Sequence, residues 1–202
     1  MPPGASPATV QKFIGTHRQW IHRRVEDLST AAAVDDSRPA SIKLPALGRH
    51  YAVEYVHAGE STVRVRVARE NLLVVTGPLH DDRALAAALR SWLADLAQQQ
   101  LGCELAKVAL EGDFRYARAQ IRRQRTRWGS CSASGTISLN VCLLFLRPQV
   151  VRYLLLHELC HTRHMNHSAK FWALVERLEP DYRALDQELL RGWQSVPGWM
   201  FS

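Results

Sequence analysis

His157, Glu158 and His161 stand in the run His157-Glu158-Leu159-Cys160-His161, two imidazoles four residues apart with a carboxylate beside the first. On a helix, four residues make one turn plus about 40°, so both rings lean over one patch and can grip a single ion. Neutral imidazole nitrogens bind a divalent ion such as zinc at about 2.0 to 2.1 Å, and a catalytic zinc uses three protein ligands with a fourth position left for water. Glu158 is rotated by about 100° from His157 and so reaches toward that open position. There it can take the water's proton and pass it to a leaving group. This is the chemistry of an H-E-x-x-H motif. The flanking residues 150–159 are apolar nearly all round and read as a buried helix. A carboxylate and two imidazoles are costly in that setting without a partner, and a metal supplies one.

A third ligand has to arrive from another direction. His164 lies on the same helical stripe as His157 and His161 and points past the ion unless the helix has already ended. Asn166 tolerates a turn and can cap a following helix, which puts His167 on the opposing wall. The spacing therefore favours His167 and leaves His164 supporting a ligand from outside the metal's own sphere. A carboxylate of the next helix, Glu176 or Glu179, is the third option.

Several spaced motifs carry a resemblance. The run Arg127-Trp128-Gly129-Ser130-Cys131-Ser132, then Ile137-Ser138-Leu139-Asn140, then His157 to His161 and Asn166-His167-Ser168-x-x-Phe171-Trp172, is similar to the YgjP-like metallopeptidase-domain family. These are small zincin-like bacterial proteins, distantly related to the SprT-like and WLM groups. The similarity is strong over residues 115–185. It implies zinc on His157, His161 and His167, with Glu158 as general base. The family name implies peptide hydrolysis, whereas one member is associated with hydrolysis of UTP to UMP and pyrophosphate. Peptide and nucleotide substrates both stand at this point.

Composition bounds the rest. At 202 residues the chain can bury a sizeable core in one domain or two packed halves. A net charge of +7 and a pI near 9.6 favour an anionic partner, so nucleic acid, nucleotides and acidic surfaces all qualify. Cys103, Cys131, Cys142 and Cys160 form no disulfide framework and no leader opens the chain, so the cytoplasm is the expected compartment. No apolar run approaches the roughly 18 residues of a membrane span. Cys160 reads as a packed helix residue rather than a nucleophile.

The elements that must position these residues follow from periodicity. Residues 1–7 are a Pro/Gly/Ser/Ala-rich lead expected to be disordered, and Val10, Phe13, Ile14, His17, Trp20, Ile21, Val25 and Leu28 predict an amphipathic helix over 8–28. Residues 30–41 read as a connection. Tyr51, Val53 and Tyr55, then Val63, Val65 and Val67, then Leu72 to Val75 predict a three-stranded antiparallel meander. Asp81 or Asp82 can cap a helix whose stripe is Leu85, Leu89, Trp92, Leu93 and Leu96, ended or interrupted at Gly102.

Between Arg115 and Trp128 six arginines are interleaved with Tyr116, Ile121 and Trp128. Such a density suits phosphate oxygens and a stacked base, or equally a strand edge protected by charge. Residues 128–135 read as a turn joining strands 117–125 and 135–140, a hairpin whose edge can pair with an extended peptide. Arg125 and Arg127, as stabilisers of negative charge, and Trp128 are the substrate-contact candidates. The metal helix is predicted over about 148–163, a second from Asn166 or His167 to Leu178, and a last over 181–192. Trp193, Trp199, Met200 and Phe201 form an aromatic tail expected to fold back on the core.

The reading is an α+β chain: a lead (1–7), a helix, small antiparallel sheet and helix (8–112), a zincin-like metallohydrolase half (113–192) and the tail (193–202). Three functions compete: zinc-dependent peptide hydrolysis, nucleoside triphosphate pyrophosphate hydrolysis, and a basic nucleic-acid binder with structural zinc. Structural zinc is closed by four ligands, which counts against the last.

Overall fold

A computed structural model describes residues 38–201. The lead 1–7, the helix 8–28 and most of the connection 30–41 lie outside the described residues.

Among the described residues, two sheets and four α-helices give an α+β fold. The first sheet holds β1 (Ser41–Leu44), β2 (Arg49–His57), β3 (Arg64–Arg69) and β4 (Leu72–Gly77) in the order β1-β2-β4-β3. Ser41, placed in the connection by its small polar neighbours, instead starts a strand whose Ile42 and Leu44 face the core. The predicted meander is also corrected. β2 pairs with β4 in parallel, and β3 pairs antiparallel with β4 on its outer side. The residues explain the order. Leu73, Val74 and Val75 are all buried and need cover on both faces, which a central strand receives. β3 alternates arginine with valine, and its charges suit an exposed edge.

α1 (Asp82–Glu111) is one uninterrupted helix. The Asp81 carboxylate accepts from the Ala84 amide at 3.0 Å, an N-cap. Leu85, Leu89, Leu93, Ala97, Leu101 and Leu105 make its buried stripe. Gly102 neither ends nor breaks it, because it lies off that stripe and costs only about 1 kcal/mol of propensity. Trp92, on the stripe's margin, meets Tyr51 of the first sheet edge-on at 5.4 Å.

The second sheet holds β5 (Arg118–Arg122), β6 (Gly129–Cys131) and β7 (Thr136–Asn140) in the order β5-β7-β6. Here too the expected hairpin differs: β5 and β7 are parallel, and Gly129–Cys131, read as part of a turn, is an edge strand antiparallel to β7. Asn140 produces this path. Its Nδ2 donates to the carbonyls of Gln124 (2.7 Å) and Arg127 (2.9 Å), its backbone N–H donates to Trp128 O (2.8 Å), and its Oδ1 accepts from the Cys142 amide (3.0 Å). Residues 124–128 are thereby drawn across the end of β7, and β6 lands on its far side.

A buried 3-10 turn, Val141–Phe145, leads into α2 (Pro148–Cys160), which starts at a proline suited to a first helical turn. α3 (Ala169–Leu178) and α4 (Tyr182–Arg191) follow. The aromatic end folds back: Trp199 and Met200 are buried, and Arg90 of α1 donates to the Trp199 carbonyl at 2.8 Å. Among the described residues no helix is long and apolar enough to cross a membrane.

Candidate metal centre

α2 carries His157 and Glu158 and ends just before His161. Thr162 Oγ1 donates to Leu159 O at 2.7 Å, and the amides of Arg163 and His164 both reach Cys160 O at 3.0 Å, closing the helix early. The predicted extension to 163 is therefore shortened. His164 does not continue the stripe. Its backbone carbonyl accepts from His161 Nδ1 at 3.1 Å, which leaves His161 Nε2 with its lone pair outward as a ligand atom. The support expected from the His164 side chain comes from its peptide oxygen.

Ser168, not Asn166, caps α3: its side chain accepts from the Phe171 amide. His167 thus sits in the connection, where its ring faces α2 across the gap. His157 Nε2 and His167 Nε2 lie 3.1 Å apart. The ligand atoms of His157, His161 and His167 all fall within 4.8 Å of one another. Tetrahedral bonds of 2.0 to 2.1 Å place ligand nitrogens roughly 3.3 Å apart, so the three imidazoles fit one ion with modest adjustment. Among the described residues, neither Glu176 nor Glu179 joins this cluster.

α3 supplies an aromatic bed for the rings. Phe171 stacks on His161 at 4.5 Å and meets His157 and His167 at 4.9 Å, while Trp172 stacks on His167 at 5.5 Å and on Tyr182 at 5.4 Å. Burial drives the His157 imidazole down to about 3, helped by its neighbours His161 and His167. Burial also lowers His161, against the pull of the His164 carbonyl. Both rings are neutral at physiological pH, the form that ligates a metal.

Glu158 is 4% exposed and lies against β6. A Cβ on Gly129 would stand 2.6 Å from Glu158 Oε1, so the glycine is there for clearance rather than for a turn. Burial raises the Glu158 carboxyl to about 8, with Arg127 pulling the other way, and Oε2 is buried with no hydrogen-bond partner. A carboxyl that changes charge near neutral pH, on the residue next to one imidazole of a cluster that could hold a metal, is suited to proton transfer. The Cys160 thiol is pushed up to about 12 by burial, which suits packing rather than nucleophilic attack.

The substrate-contact candidates divide. Arg127 is exposed and close enough to act on Glu158. Arg125 is engaged elsewhere: its Nη2 donates to Phe201 O at 2.5 Å and its guanidinium lies 6.0 Å from the Phe201 ring. Trp128 is 7% exposed and stacks on Trp193 at 4.0 Å, so its ring is inside the molecule rather than on the rim. Gly129, Asn140 and Phe171 were not singled out from sequence as parts of the site. Their places in the W-G-S, S-L-N and H-S-x-x-F-W runs were the available signal.

The metallopeptidase zymogen of Pyrococcus abyssi abylysin is similar over 48% of this chain and 98% of its own, at 23% identity and a TM-score of 0.43. That of Methanocaldococcus jannaschii jannalysin is similar over 46% of this chain and 96% of its own, at 16% identity and a TM-score of 0.41. No curated protein matches the chain. The family described as YgjP-like, metallopeptidase domain, matches residues 1–191, a span that takes in both sheets, the three imidazoles and Glu158. The chain belongs to the YgjP-like metallopeptidase family and is a metal-dependent hydrolase.

Proposed function

We propose that the chain is a zinc-dependent peptidase in which His157, His161 and His167 hold the ion and Glu158 is the general base. The observation that carries this is a cluster of three imidazoles with ligand atoms within 4.8 Å of one another, next in the chain to a buried carboxyl that has an unpartnered oxygen and lies against an edge strand. Zinc suits an all-imidazole set, and three ligands leave a position open. When bound, such an ion supplies Lewis acidity and lowers the pKa of its water.

The chain's own residues do the rest. β6 offers an unpaired backbone edge to which an extended peptide can add as a further strand, bringing its scissile bond over the imidazole cluster. Glu158 accepts the attacking water's proton at Oε2 and releases it to the departing amine. The apolar surroundings that raise its pKa make the protonated state accessible for that second transfer. Arg127, exposed and near enough to act on the Glu158 carboxyl, offsets negative charge as the carbonyl becomes tetrahedral.

The nucleotide alternative draws on Arg125 and Trp128 as phosphate and base contacts. Both are engaged by the C-terminal segment, which favours the peptide reading. The three-ligand set likewise favours a hydrolase over a nucleic-acid binder with closed structural zinc. The test is hydrolysis of an unfolded protein by zinc-loaded wild type and Glu158→Gln. Peptide fragments from wild type alone support the reading. Release of pyrophosphate from a nucleoside triphosphate, with no peptide cleavage, overturns it.

A further inference from the structure

A cavity of about 380 Å³ opens between the two walls of the cleft. One wall is the turn after β6, with Ser132 and Ser134. The other is Thr162 and Met165, from the loop that joins His161 to His167. Arg115 and Tyr116 also line it. The cavity therefore lies beside the loop that joins His161 to His167, through Thr162 and Met165, and beside the turn that directly follows β6, through Ser132.

Its electrostatics are one-sided. Arg115 lines it, and no carboxylate does. Neighbouring guanidiniums are spoken for: Arg163 donates to the carbonyls of Gly112 and Asp113, and Arg118 to Thr136 Oγ1. Among the described residues, Arg115 makes no ion pair or hydrogen bond and is exposed. The remaining lining combines hydroxyls with the 51% exposed Met165 thioether, which suits a short aliphatic stem ending in a hydrogen-bond acceptor.

We propose that this cavity is a substrate subsite for an acidic side chain, aspartate or glutamate, within two residues of the scissile bond, and that Arg115 sets the preference. The proposal rests on the peptidase reading of the same centre. It has a natural counterpart in the chain's surplus of basic residues, which draws acidic segments toward the cleft before they dock.

The test uses peptides of one sequence that carry Glu, Gln or Lys at a single position near the cleaved bond, with zinc-loaded wild type, Arg115→Ala and Arg115→Glu. Wild type is expected to cleave the Glu peptide with kcat/KM about tenfold above the Lys peptide, with the ratio shrinking in high salt. Arg115→Ala levels the series, and Arg115→Glu reverses it. Fluorescence anisotropy of the labelled peptides on Glu158→Gln protein, with and without Arg115→Glu, reads the same preference without turnover. Equal cleavage of all three peptides by wild type, or a Glu preference that survives Arg115→Glu, overturns the acidic subsite and leaves the peptidase reading intact. No cleavage of any peptide by zinc-loaded wild type, together with equal binding of the Glu and Lys peptides, overturns both.

Discussion

Gly129→Ala places a methyl carbon 2.6 Å from Glu158 Oε1, 2.9 Å from Cγ and 3.0 Å from Cδ. An ordinary contact begins near 3.4 Å, so something must move by about 0.8 Å. The strand resists, because Gly129 is paired with Leu139 of β7 and Asn140 pins the preceding loop. The carboxylate is the softer partner, yet it is buried and yields only by leaving the position it now holds. A misplacement of about 1 Å costs roughly 10²-fold in rate when a catalytic group must be aligned. The expected result is a fall in kcat/KM of about 10- to 100-fold. The methyl's three nearest contacts are all in Glu158 and none is in His157, His161 or His167, so on the proposed ligand set zinc affinity should stay within about threefold. Overpacking costs about 1 to 3 kcal/mol, partly offset by the entropy an alanine removes from the unfolded chain. The assay is peptide hydrolysis by the zinc-loaded variant, with chelator competition for affinity and denaturant unfolding for stability. Activity within twofold of wild type, or a loss of zinc affinity in step with the loss of rate, would refute the clearance argument.

Metal-free protein should show a stability maximum near pH 6.5. Glu158, raised from 4.5 to about 8, keeps a proton that the unfolded chain releases, so its contribution is lost as pH rises from 4.5 to 8. His157, lowered from 6.5 to about 3, refuses a proton that the unfolded chain accepts, so stability is lost as pH falls below 6.5. Burial lowers His161 as well, so just below pH 6.5 the two imidazoles outweigh Glu158 and stability falls with falling pH, while about 2 kcal/mol disappears from pH 6.5 to 8 and Glu158→Gln abolishes that alkaline loss; urea unfolding in chelator across pH reads all three. Asn140→Ala strands the carbonyls of Gln124 and Arg127 and the Cys142 amide inside the fold, and should cost about 3 kcal/mol by urea unfolding. Trp193→Ala removes the stack on Trp128 and should lower both stability, by about 2 to 3 kcal/mol, and kcat, with Trp193→Phe recovering most of each.

The convergence of His157 and His161 was legible because a four-residue spacing is local geometry, and His167 because a side chain off the helix can turn back toward it. What sequence left dark is tertiary. Gly129 reads as a turn glycine until Glu158 is brought against it from another element. Trp128, set among arginines, reads as a surface platform; only the fold shows that Trp193 covers it. The alternation of β2, β3 and β4 identified strands but not partners, since period two says nothing of which neighbour a strand takes. The unbroken apolar run at Leu73, Val74 and Val75 was the clue that β4 is central. At His164 the stripe argument assumed that the helix continued, whereas Thr162 and Cys160 end it within one turn.

The central claim is tested most directly by X-ray absorption at the zinc edge on stoichiometrically loaded protein. Three imidazole nitrogens and one further light atom, at about 2.0 to 2.1 Å, are predicted, with one imidazole lost in His167→Ala. Failure to retain stoichiometric zinc, a shell containing sulfur, or a spectrum unchanged by His167→Ala would contradict it.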